Sequence, residues 1–172
     1  IQPLIHALNK EENIRIRQGA AQALGALEAP SAATSLALAL ADPDVGVWSQ
    51  AVAALAKIGN TKPLRPALNS KKERVRYGAA IALWRIQKEE KAFHTLLAAV
   101  QHEDVVIRGS AITSLWIQAD NRAVATLQIQ LQKEDIGSMM ARYILQALDT
   151  IGGAMATATI ANYLADHRDT MK

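Results

Sequence analysis

The chain has 172 residues, of which 50% are hydrophobic but only 4% aromatic, with no cysteine and a formal charge of +3. This is enough for one domain with a core, and the lack of cysteine excludes disulfide stapling, thiol catalysis and cysteine-ligated metal. The positive excess reads as modest and spread out, marking neither a nucleic-acid arm nor a membrane-surface segment, and Asp42, Lys57 and Arg85 interrupt the apolar runs before any reaches the roughly 18 residues of a membrane span.

Alanine and leucine supply most of the apolar content and both favour helix, whereas the β-branched and aromatic runs that mark strands are missing. An all-α chain follows. The first helix is predicted at residues 3–8 and the second from Ile16, where Ile16, Ala20, Ala23, Leu24 and Leu27 share one face. Further pairs are predicted at 33–40 and from Val47, at 63–68 and from Val75, at 93–100 and from Ile107, and at 123–131 and from Met140. A half-unit closes the series at 160–165. Asn13, Asp44 and Asp104 stand three residues ahead of Ile16, Val47 and Ile107, where each can cap the helix behind it. Glycine and proline at Pro30, Gly59, Pro63, Gly152 and Gly153 separate the pairs.

The second helices repeat one another. IRQGAAQAL from Ile16 returns as VWSQAVAAL from Val47, VRYGAAIAL from Val75, IRGSAITSL from Ile107 and, more weakly, MARYILQAL from Met140. The steps are 31, 28, 32 and 33 residues, a period that belongs to helical repeat arrays. One amphipathic pair cannot bury its apolar face alone, so successive pairs must stack. Ala20, Ala51, Ala79 and Ala111 occupy one repeat position, where their small size lets neighbouring helices approach closely.

The pattern Asp-x-x-Val/Ile-Arg followed by Ala-Ala-x-Ala-Leu-Gly resembles HEAT repeats, especially the short subclass named after phycobiliprotein lyases. Asp104-Val105-Val106-Ile107-Arg108 carries it most fully and the fifth unit departs furthest. The resemblance implies a right-handed α-α superhelix of the HEAT/armadillo kind, with about five helix pairs plus a terminal helix in a single domain over 1–172. Because the chain opens at Ile1 with neither methionine nor a signal-peptide pattern, a piece of a longer protein is expected. A cytoplasmic location is the default expectation.

Arg17, Arg76 and Arg108 sit at equivalent positions and are expected to form a structural ladder, paired with turn carboxylates such as Asp44 and Asp104. Trp48 stands where the other units have arginine and is read as packing. Positions equivalent to Gln18, Gln22 and Gly25 lie off the core stripe and are expected to line an inner face. There they place Tyr77, Ile81 and Trp84 in the third unit, Thr113 and Trp116 in the fourth, and Arg142 and Gln146 in the fifth. Trp84 and Trp116 share a repeat position, which suggests an aromatic partner-binding patch, the alternative being that both fill gaps between helices.

Some members of the superfamily bind iron through His-Glu pairs at the start of second helices. Here that place holds Gln18-Gly19, Ser49-Gln50, Tyr77-Gly78 and Gly109-Ser110, none of which can bind the metal. The four histidines have no shared ligand spacing, and His167-Arg168-Asp169 copies a kinase tripeptide without its accompanying motifs. No cofactor is implied. The leading expectation is therefore a scaffold or adaptor that binds another protein, with nucleic acid and membrane not expected as partners and self-association through exposed repeat ends as a further possibility. The alternatives are a bilin lyase or other tetrapyrrole accessory factor, and a relative of the HEAT-type DNA glycosylases.

Overall fold

The computed structural model describes residues 1–167, and among these every regular element is helical. Two compact units divide the chain, Ile1–Leu96 and Leu97–Lys172. In the first unit α1 (Gln2–Lys10) pairs with α2 (Ile14–Ala26), α3 (Ala33–Ala39) with α4 (Val45–Ile58), and α5 (Leu64–Ala67) with α6 (Glu73–Gln87). The second helices also pack on one another, α2 against α4 and α4 against α6. Helix α7 (Glu90–Ala99) spans the division. Beyond it lie α8 (Val105–Gln118), α9 (Val124–Leu131), α10 (Met139–Ile151) and α11 (Gly153–Asp166). In this unit α8 packs on α10, and α10 packs on both α9 and α11. In chain order the described helices thus follow the alternation of first and second helices read from the repeat, with α11 as the final single helix.

The caps show why the helices start where they do. Asn13 accepts from the Arg15 N–H at 2.9 Å, Asp44 from Val47 at 2.9 Å, and Asp104 from Val106 at 2.9 Å and Ile107 at 3.4 Å. Ser138 does the same for α10 through the Ala141 N–H at 3.0 Å. Each satisfies donors that a first helical turn leaves unpaired. Helix α6 has no such side chain, because Lys72 stands at its N-cap.

The core of each unit is a ladder of alanine and leucine. Ala20, Ala51, Ala79 and Ala111 are all buried, as are Leu24, Leu55, Leu83 and Leu115 one turn on. Each fully buried leucine contributes roughly 1.5–3 kcal/mol. The tightest approach is at Gly25, where a methyl group would come 2.7 Å from Ala54 Cβ and 2.8 Å from Ala54 Cα, so only glycine lets α2 lie this close to α4. The expected stripe on α2 needs one correction: Ile16 and Leu27 are 46% and 59% exposed, and the buried face runs through Ala20, Ala21, Leu24 and Gly25. Ile16 is uncovered while its counterparts Val47 and Ile107 are buried.

Candidate functional site on the second helices

The repeat arginines are clamps on the turns. Arg17 donates through Nη1 to the carbonyls of Glu11 at 3.1 Å and Glu12 at 2.9 Å, Arg76 to Ser70 at 2.9 Å, and Arg108 to His102 at 2.6 Å and Glu103 at 3.1 Å. Each thus ties a second helix to the turn that leads into it. The acidic partners differ from the expected ones. Arg17 makes a two-pronged pair with Asp42, Nε to Oδ2 at 2.8 Å and Nη2 to Oδ1 at 3.1 Å, and Arg108 Nε lies 3.4 Å from Glu134 Oε1. Asp44 and Asp104 are occupied as caps, so the pairing falls to Asp42 and Glu134 in the next turn along the chain. Hydrogen bonding to Asp42 holds the Arg17 guanidinium pKa above its ordinary value, against the opposing effect of burial. Arg76 pairs with its own-helix neighbour Glu73, at 3.3 Å, and lies over the Tyr77 ring with 5.0 Å to the centroid.

The inner-face positions divide sharply. On α6 every residue from Tyr77 to Trp84 is buried, and Ile81 and Trp84 have no exposed surface at all. A fully enclosed side chain has nothing to offer a partner, so Tyr77, Ile81 and Trp84 are core residues here and the expected Trp84–Trp116 patch does not form at the surface. Trp84 packs on Phe93 of α7, with ring centroids 4.9 Å apart, whereas the first repeat has Gly25 at this position, close against Ala54. Trp48 is likewise buried and donates to the Arg74 carbonyl at 2.8 Å, against Gly78, whose missing Cβ leaves room for the indole.

In the second unit the same positions face outward. Thr113 and Trp116 on α8 are half-buried, and Arg142 and Gln146 on α10 are exposed, as is Tyr143 beside them at 37%. Helices α8 and α10 pack directly, with the Met140 side chain set against Gly109, so these four residues stand on adjoining helices. Trp116 is the one tryptophan of the three that keeps exposed surface.

A cleft of about 510 Å³ that no repeat motif marks lies between α9 and α11, lined by Gln128, Gln132, Asn162, Tyr163 and His167 among others. Thr159 is 6% exposed where the repeat elsewhere buries leucines such as Leu36 and Leu127, and its hydroxyl donates to the Met155 carbonyl at 2.9 Å. That substitution of a polar for an apolar residue was the available signal. The Tyr163 hydroxyl donates to the Glu134 carbonyl at 3.0 Å, and burial, then Asp135 and Glu134, raise its pKa. Among the described residues no group of three or more His, Asp and Glu is placed to hold a metal, and no helix is long and apolar enough to cross a membrane. Arg168 and Asp169 of the kinase-like tripeptide lie outside the described residues.

Stacked helical hairpins with a repeating alanine-leucine spine and turn-clamping arginines define an α-α repeat protein. The sequence profile of HEAT repeats matches residues 1–65 and 61–148, and the chain belongs to that family. No curated protein matches it. Among solved structures, a designed armadillo repeat protein is similar over 95% of this chain and 88% of its own, at 18% identity and a TM-score of 0.52, which shows the α-α superhelical fold class. Human deoxyhypusine hydroxylase is 21% identical over 95% of this chain and 66% of its own, with a TM-score of 0.49. The complex of CpcE and CpcF of phycocyanin lyase from Nostoc sp. PCC7120 is 18% identical over 96% and 81%, with a TM-score of 0.46.

Proposed function

We propose that this chain is a protein-binding scaffold or adaptor module that takes its partner on the second-helix face, with Thr113, Trp116, Arg142 and Gln146 at the contact. Helical repeat arrays present such faces as extended binding surfaces. The observation that carries the reading is the departure of Trp116 from Trp84: at one repeat position, one indole is sealed in the core and the other retains surface beside an exposed arginine helix. A partly exposed tryptophan stabilises the fold less than a buried one, and tryptophan with arginine is the composition that dominates interface energetics. Thr113 and Gln146 supply polar rim groups around that anchor.

The test is capture of partners by the wild type and by Trp116→Ala/Arg142→Ala. A specific partner retained by the wild type and lost by the double variant, at unchanged helical circular dichroism, is the expected result. Equal retention by both would refute the assignment of this face.

A further inference from the structure

We infer that the third inter-helix turn together with the start of α6, residues 69–76, is a second docking surface, fitted to an acidic Asp/Glu-rich segment of a partner protein. In the other four pairs the turn between first and second helix carries two carboxylates: Glu11 and Glu12, Asp42 and Asp44, Glu103 and Asp104, Glu134 and Asp135. The third turn, between α5 and α6, carries none and has Lys71 and Lys72 instead. From Lys71 to Arg76 four cations stand against the single carboxylate of Glu73, a net of three positive charges, which is the formal charge of the whole chain. The positive excess is thus locally dense at this point of the chain.

The structure adds to this charge. Lys91, on α7, donates through Nζ to Asn69 Oδ1 at 2.7 Å, which brings a fifth cation to the turn. Lys71 and Lys72 are exposed. The carboxylates of the preceding turn are already engaged, Asp42 by Arg17 and Asp44 by the Val47 N–H and the Gln18 amide, the latter at 3.2 Å. Arg74 reaches across to the Pro43 carbonyl at 3.0 Å, extending the positive surface toward that turn.

The fold gains nothing from lysine here. Lys72 occupies an N-cap position that asparagine, aspartate or serine fills in the other second helices, and a cation there opposes the positive end of the helix dipole. A cluster that costs stability and attracts anions fits recognition. A short acidic peptide fits better than a nucleic acid. The patch is short, exposed Glu12 lies in another turn of the same unit, and the aromatic ring next to it, Tyr77, is buried beneath Arg76 and unavailable for base stacking.

The experiment is fluorescence anisotropy with a labelled deca-glutamate peptide at 50 mM salt. Wild-type protein is expected to bind it, with affinity falling about ten-fold by 200 mM salt as screening increases. Lys71→Glu/Lys72→Glu is expected to lose at least about ten-fold, whereas Lys62→Glu/Lys133→Glu, the same charge change elsewhere, changes it by less than about two-fold. Lys72→Asp separates binding from folding, since it supplies the missing cap and should melt at a higher temperature while binding the peptide more weakly. Trp116→Ala/Arg142→Ala should bind the peptide as the wild type does, so this surface stands or falls independently of the second-helix face. No binding at 50 mM salt, equal loss in the two charge-reversed variants, or tighter binding of a ten-nucleotide single strand than of the peptide would each overturn the inference.

Discussion

Single atoms decide several positions in this chain. At Gly25 an added methyl would meet the Cα of Ala54 as well as its Cβ, and backbone cannot swing aside as a flexible side chain can. Gly25→Ala is therefore expected to destabilise by about 1–3 kcal/mol, read as a lower denaturant midpoint with unchanged slope. Tyr163 gives a pH-dependent case. Its phenol has a raised pKa in the folded chain, so the neutral form is favoured there and the unfolded chain ionises first. The resulting stability is complete below the ordinary tyrosine pKa of 10.0 and is lost as pH rises through the folded value. Tyr163→Phe should remove that alkaline loss, and at neutral pH should cost about 1 kcal/mol for the hydrogen bond to the Glu134 carbonyl. A titration of melting temperature from pH 8 to 11 on both proteins reads the two effects together.

At the scale of the helix, the ends carry the most easily tested physics. Glu28, Lys88 and Ala119 adopt left-handed backbone at φ of 44°, 50° and 46°, the conformation that Gly59 adopts at 72° after α4. A side chain with Cβ pays for that conformation and glycine does not. Ala119→Gly is expected to stabilise by about 0.5–1 kcal/mol, and Gly59→Ala, where a methyl meets nothing within 4 Å, to destabilise by a similar amount through backbone strain alone. Thermal melts of the two variants should move in opposite directions. Much of this level was legible in the sequence, since helix periodicity, the caps Asn13, Asp44 and Asp104, and the repeat step are local signals. The direction of each side chain was harder to read. Ile81 and Trp84 hold the same repeat positions as partly exposed Thr113 and Trp116, and only packing against other elements, such as Trp84 on Phe93, decides that one set is sealed. The choice of Asp42 over Asp44 for Arg17 likewise depends on which carboxylate the cap has already taken.

At the scale of the whole molecule, the repeat leaves apolar surface uncovered. In an array each pair buries its neighbour's exposed flank, so a flank without a neighbour stays apolar and wet. Ile16 is 46% exposed while its counterparts Val47 and Ile107 are buried, and Ile14 beside it is 45% exposed. Such residues favour association when no polar cap covers them. Wild-type protein is therefore expected to show a sedimentation coefficient that rises with concentration, and Ile14→Lys/Ile16→Lys to remain monomeric over the same range. The double substitution touches no core contact of α2, whose buried residues are Ala20, Ala21, Leu24 and Gly25, so its melting temperature should stay within a few degrees of the wild type. If both proteins sediment identically as monomers at high concentration, these isoleucines are ordinary surface residues and repeat-end association is excluded as a mode of assembly.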